Sequence, residues 1–345
     1  MDGRVVGVEQ VLQSPTHHAS PTSVTPTSVS NGHKEENKDD VDVEGSAGFV
    51  SCSINLLKAC IGAGILAIPY AIGTLGWVAG LLVLTFACGL STLGLFLLSI
   101  VGHWHGRKST FGSVAEKTFP KAAILFDLTV VVKCLGVATA YLGNICKQIP
   151  SIYHDIMVHR GAITEDEPLP TWMTQYKIIW VAISLAVLTP VVSFRKIDSL
   201  KYTSFFGMFS ILYLLVLSIY TFTTTAVNGN LQPMHAFEPL SAKSLTSFSI
   251  FVFAFNCHQN VFPVQNEAFR NTPTWMSRVI LTVMLSTLMI YLTFGIFSYG
   301  AFPDLKVDIL ASFKPVKVQY IIAKVLFVVL LACSYPLLSF PCSSA

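Results

Sequence analysis

The stretch SINLLKACIGAGILAIPYA, Ser53 to Ala71, decides how the chain is read. It is apolar enough to lie in a membrane, yet it is badly made for a plain span. Lys58 sits inside it, Gly62-Ala63-Gly64 loosens its middle, and Pro69 falls near its end. In a helix interior glycine costs about 1 kcal/mol relative to alanine, and proline about 3 kcal/mol. A discontinuous helix accommodates all three features. Where such a helix breaks, its freed N–H groups and positive dipole end can meet an anionic group such as a carboxylate. The small-xxx-small spacing from Cys60 to Gly64 also serves close packing between membrane helices, which stays open as the alternative.

The composition supports the membrane setting. Mean hydropathy is +0.61. Charged residues make up 12% of the chain, about half the usual share in a soluble domain. They crowd into the N-terminal region and the loops. A formal net charge of +3 is too small to indicate a nucleic-acid partner. Seven of the eight cysteines (Cys146 is nearer a loop) fall in apolar segments without metal-ligand or disulfide spacing, so they read as small packing residues.

Residues 1–47 carry Ser/Thr-Pro elements and then an acidic run, with too few apolar residues to fold. They read as a disordered cytoplasmic tail. Residues 48–345 read as a transmembrane domain of about eight helices, at about 48–72, 76–101, 121–150, 176–194, 200–226, 243–265, 277–300 and 317–341. Each is close to the roughly 20 residues a bilayer requires. The third is long enough to protrude. Lys and Arg concentrate in the loops after the second, fourth and sixth spans, which predicts a cytoplasmic N-terminus. The segment STFGSVAEKTF, Ser109 to Phe119, reads as a short interfacial helix capped by Ser109 or Thr110.

The sixth segment is the second unusual one. Its centre is Asn256-Cys257-His258-Gln259-Asn260, followed by Pro263. Polar side chains at membrane depth are costly and normally face a cavity or pathway, although they also glue helices together. Interrupted helices at corresponding places in two halves point to a central binding site.

Leu56-Leu57-Lys58, Ile61-Gly62-Ala63-Gly64-Ile65-Leu66 and Pro69-Tyr70-Ala71 resemble the first helix of the amino acid/auxin permease family. Phe253 to Asn260, with Pro263 and Asn266-Glu267, is similar to that family's sixth helix. Gly136 to Pro150 resembles its third, and Ser334-Tyr335-Pro336-Leu337 with Phe340-Pro341-Cys342 its eighth. The resemblance implies an all-α, polytopic transmembrane helix bundle, leucine-transporter-like, with broken helices 1 and 6. The family pattern has about eleven helices in two inverted repeats of five. The sequence stops after the eighth, so the expectation is a truncated chain whose second repeat is incomplete.

The implied function is secondary active transport of small neutral amino acids, driven by protons or, alternatively, sodium. On this reading the amides around Gly62, Ala63 and Gly64 hold the substrate carboxylate. The carbonyls near Phe255, Asn256 and Cys257 hold its amino group, and Tyr141 and Asn144 line the pocket. Lys58 lies about 15 Å into the first span at 1.5 Å per residue. Proton-coupled members of the family share the Leu-Leu-Lys pattern, so Lys58 is the expected coupling residue, with snorkelling to the interface as its bland alternative. His258 is a second proton carrier on this reading, and Ser334 is the cation ligand if sodium is used. Competing readings are an amino-acid sensor and a non-transporting truncated product. No P-loop, HExxH or GxSxG motif supports an enzyme. No cofactor or metal is implied, and the partners are the amino acid, the coupling ion and membrane lipid. The membrane is read as vacuolar or lysosomal, or the plasma membrane.

Overall fold

The computed structural model describes residues 45–168, 200–343 and positions 180–182, 184 and 186 between them. Residues 1–44 of the expected tail and most of the expected fourth span lie outside the described residues, as do Arg195 and Lys196.

The first span forms as two half-helices. α1 (Phe49–Cys60) stops where Ile61 (φ −83°, ψ 82°) and Gly62 (φ −102°, ψ −150°) leave the helical region. A 3-10 turn, Ala63–Ala67, leads into α2 (Ile68–Leu75), bent by 49° from α1. Pro69 lies in the first turn of α2, where its missing N–H removes no helical bond. The proline that argues against a continuous span therefore opens the second half-helix.

α3 (Trp77–His105) shows why the surface is apolar. Leu84, Cys88, Leu95, Ser99 and Gly102 form its buried stripe, while Leu82, Phe86, Leu90, Leu93 and Leu97 are each more than half exposed. Both stripes keep the helical period, on opposite faces. A large exposed Leu/Phe face suits hydrocarbon and not water. The short α4 (Phe111–Thr118) follows, with Thr110 as cap: its hydroxyl accepts from Ser113 N at 3.1 Å, and Thr110 N donates to Ser113 Oγ at 2.9 Å. The expected short helix is present, with Thr110 of its two expected caps.

α5 (Ala123–His159) overruns the expected boundary, continuing through Pro150 for 37 residues in all. α6 (Leu200–Val227) comes next. The sixth expected span is α7 (Ala242–Ala254), an irregular stretch, a 3-10 turn at His258–Asn260, and α8 (Val261–Glu267). α9 (Pro273–Ala301) and α10 (Val318–Ser343) complete the described helices. Among the described residues the fold is all-helical, with one isolated backbone bridge between Ala47 and Ala268. Five helices there are long and apolar enough to cross a membrane, and the bent α1–α2 pair makes a sixth. α10 packs against α5 and α6, α9 against α3 and α6, and α2 against α7 and α9.

A polar cluster ties the far end of α5 to α10. Lys324 Nζ lies 2.5 Å from Asp155 Oδ2 and donates to Ser151 Oγ at 2.8 Å. In the loop before α10, Asp308 Oδ1 accepts from Leu310 N at 3.0 Å and Oδ2 from Gln148 Nε2 at 2.8 Å. Burial pushes the Asp308 carboxyl above its ordinary range, against the opposing pull of the Leu310 N–H, Lys324, Lys147 and Gln148. A raised carboxyl binds its proton more tightly in the folded chain. Its ionisation therefore weighs against folding, and that cost is relieved as pH falls.

Removing one partner of a buried ion pair strands the other. Asp155→Ala is expected to cost about 3–5 kcal/mol, read as a lower apparent melting temperature in detergent. The double change Asp155→Leu with Lys324→Met is expected to cost far less, because no buried charge is left alone.

Candidate functional site

The two helix breaks face each other. At the first, Ile61 N donates to Leu57 O at 2.8 Å, Gly62 N to Cys60 O at 3.0 Å and Ile65 N to Gly62 O at 3.4 Å. Ala63 and Gly64 head the 3-10 turn, and their N–H groups take none of these bonds. At the second, Asn256 N donates to Phe253 O and Cys257 N to Phe255 O, both at 3.1 Å, and Asn260 N to Cys257 O at 2.9 Å. The Asn256 carbonyl accepts none of these loop bonds. Each break thus keeps ligand-capable groups: two amides at one, a carbonyl at the other.

Tyr291, fully buried on α9, joins the breaks. Its hydroxyl lies 3.2 Å from Cys60 O and 3.0 Å from Ala254 O, the last carbonyls of α1 and α7. Cys60 Sγ adds a long contact of 3.8 Å to Ala254 O. The Phe255 ring packs against Tyr291 tilted by 59°, with centroids 5.3 Å apart.

Between the breaks lies a cavity of about 30 Å³, lined among others by Gly62, Ala63, Gly64, Tyr141, Asn256 and Gln259. That is room for ordered water and too little for a larger ligand. The Tyr141 hydroxyl fills the rest: a Cβ on Gly62 would collide with it. Glycine is required here by close approach, and not by backbone conformation. A wider cavity of about 520 Å³ lies beside α2, lined by Tyr70, Gly73 and Thr74 of that helix, Tyr299 of α9, and Pro303, Asp304, Leu305 and Lys306 of the following loop.

The structure brings together Gly62, Ala63, Gly64, Tyr141 and Asn256 from the residues expected for the site. It sets the others apart. Phe255 and Cys257 are fully buried behind the cavity wall. Asn144 is half-buried and bonds its own helix, Nδ2 to Ala140 O at 2.9 Å. His258 packs against Gly94 of α3, where a Cβ would stand 2.8 Å from Nε2. Lys58 does not run out to the interface: it is fully buried, and Nζ donates to Cys333 O of α10 at 2.9 Å. Ser334, the next residue, bonds back to Leu330 O at 2.8 Å. Lys58 and Ser334 therefore meet where α1 and α10 approach.

Two residues at the site carried no expected role. Gln259 lines the cavity, and Lys133 on α5 donates to Asn256 Oδ1 at 2.7 Å and to Gln259 Oε1. The available signal was spacing: Lys133, Val137 and Tyr141 recur every four residues on one face of α5.

The described helices define a multi-pass helical membrane protein with a small cavity between two interrupted helices. The chain belongs to the transmembrane amino acid transporter protein family, which it matches over residues 45–345. It is 33% identical over 305 residues to vacuolar amino acid transporter 5 of Schizosaccharomyces pombe, covering 87% of this chain and 69% of that one. It is 28% identical to vacuolar amino acid transporter 7 of Saccharomyces cerevisiae, over 87% of this chain and 59% of the relative. Solute carrier family 38 member 8 of Mus musculus is 26% identical, over 83% and 65%. The chain thus spans between 59% and 69% of the length of these relatives.

Tyr291→Phe removes one hydroxyl from two buried carbonyls and is expected to cost about 1–3 kcal/mol, checked by thermal unfolding in detergent. Gly62→Ala forces Tyr141 aside and is expected to cost about 1–3 kcal/mol by overpacking. Adding Tyr141→Phe should recover part of that loss in a double-mutant cycle.

Proposed function

We propose that this chain acts as a secondary active transporter of small neutral amino acids, coupled to protons. The observation that carries the reading is the facing of the two breaks across the cavity. The Ala63 and Gly64 amides suit a carboxylate at the end of a half-helix. The Asn256 carbonyl, across the cavity, suits an ammonium. Together they read the two groups every free α-amino acid carries, and leave the side chain to the rest of the wall. The cavity of about 30 Å³ is smaller than any amino acid, so binding requires Tyr141 to move away from Gly62. The wider cavity beside α2 supports an access route from that side.

Lys58 supports proton coupling. Its ammonium occupies the meeting point of α1 and α10, where a bound cation would otherwise bridge the two helices through groups such as the Cys333 carbonyl and Ser334. In this reading protonation of Lys58 ties α1 to α10, and deprotonation releases them. His258, further from the cavity, is the second proton carrier. The relatives called vacuolar support a vacuolar membrane, and the Lys and Arg of the loops after the second, fourth and sixth spans support a cytoplasmic N-terminus.

A sensor reading has one observation in its favour. Ala47, just before α1, is bonded to the end of the second broken helix: Ala47 N to Glu267 O and Phe269 N to Ala47 O, both at 2.9 Å. Deleting residues 1–44 separates the two, because transport should survive it and signalling should not.

The decisive measurement is uptake of labelled alanine, proline and glutamine into proteoliposomes holding the 345-residue chain. Accumulation is expected under an inward proton gradient alone, and is expected to be lost in folded Lys58→Ala. Accumulation under sodium alone would overturn proton coupling. Binding without flux under either gradient would favour the sensor.

A further inference from the structure

Lys133 is not itself among the residues lining the small cavity, yet it holds two that are. A side-chain amide has an acceptor end and a donor end, and nothing intrinsic fixes which end faces a ligand. Lys133 fixes it here. An ammonium only donates, so Asn256 and Gln259 must both turn their oxygens to it. Neither amide nitrogen donates to a protein acceptor among the described residues. Two N–H2 groups are thus what this side of the site has for a ligand, backed by an ammonium that forms no ion pair with a carboxylate among the described residues. Gln259 is 5% exposed and Asn256 half-buried, so a ligand that fails to satisfy them leaves donors unpaired.

We propose, building on the amino-acid reading above, that Lys133 is the positioning residue that decides which side chains the site accepts. By capturing both amide oxygens it turns the wall formed by Asn256 and Gln259 into a donor-only surface. Side chains ending in a carbonyl or carboxylate oxygen, as in glutamine, satisfy that surface. Apolar side chains leave it unpaired. Cationic side chains bring more donors and a like charge, and are rejected. A site built to hydrogen-bond a substrate group discriminates strongly against analogues lacking it, because its own buried groups are then left without partners.

The test is equilibrium binding of labelled alanine, with glutamine and lysine as competitors, to the purified full chain in detergent. The wild type is expected to bind glutamine more tightly than alanine and to ignore lysine. In Lys133→Met the amides can turn over, so the glutamine-to-alanine affinity ratio is expected to fall about tenfold, the scale of one hydrogen bond, and lysine begins to compete. Lys133→Arg keeps the charge and the donors and is expected to retain the wild-type order. Should Lys133→Met not fold, Gln259→Glu decides: a carboxylate beside the ammonium removes one donor and the excess charge, and should admit lysine. An unaltered ratio in folded Lys133→Met, continued exclusion of lysine by Gln259→Glu in its place, or a wild type that takes lysine as readily as glutamine overturns this proposal alone, since alanine binding still supports the site. A wild type that binds no amino acid overturns the amino-acid reading itself, and this proposal with it.

Discussion

A single hydroxyl, that of Tyr291, sits between the last carbonyls of α1 and α7, and the architecture of the site depends on it. A helix interrupted at membrane depth exposes backbone groups that lipid cannot satisfy, each costing several kcal/mol if left alone. Two interruptions placed side by side double that liability. One buried tyrosine from a third, unbroken helix bridges the two, its single O–H shared between them. With those carbonyls occupied, and Gly62 N–H turned back to Cys60 O, the Ala63 and Gly64 amides are the groups of the first break left facing the cavity. The fold thus separates the backbone groups it must satisfy itself from those it can offer.

Lys58, Lys133 and Lys324, all within the spans, end on three different kinds of oxygen. Lys324 meets the Asp155 carboxylate, Lys58 a backbone carbonyl and Lys133 two side-chain amides. These differ in how easily the lysine can let go. A carboxylate partner makes a buried pair that is costly to break. A neutral carbonyl or amide holds an ammonium less firmly and tolerates a neutral amine. The first arrangement suits a fixed fastening between α5 and α10. Contacts to neutral oxygens, such as those of Lys133, rearrange at lower cost.

The breaks themselves were legible in the sequence because propensity acts locally. Three small residues at Gly62-Ala63-Gly64 and the polar run from Asn256 to Asn260 interrupt helices where the structure shows the interruptions. The α4 cap was legible for the same reason, since a cap needs residues only three apart. What escaped was set by long-range contacts or by context. Pro69 reads as a helix breaker until its place in the first turn of α2 is known. Pro150 marks an end only if no neighbouring helices support the chain beyond it, and α5 runs on to His159. Tyr291 reads as ordinary packing in an apolar span, because its two acceptors come from helices far away in the chain. Lys133 lies 123 residues from Asn256, so its partners could not be read from spacing. The backbone pairing that occupies Gly62 N–H depends on the local geometry of the break, which composition does not specify.

α5 gives the molecule a common rod. Lys133, Val137, Tyr141, Gln148 and Asp155 follow the helical period along one side of it, so the amide clamp, the cavity wall and the fastening to α10 share one helix, with Pro150 between the cavity wall and Asp155. From Lys133 to Asp155 is about 33 Å at 1.5 Å per residue, close to the thickness of the hydrocarbon layer. A continuous helix transmits axial displacement along its length, less completely across a proline. Any movement that draws Tyr141 away from Gly62 by sliding or tilting α5 therefore also works on the Asp155–Lys324 pair toward its far end. The mechanical resistance of that distant ion pair becomes part of the stiffness of the cavity, though no atom of it lies there.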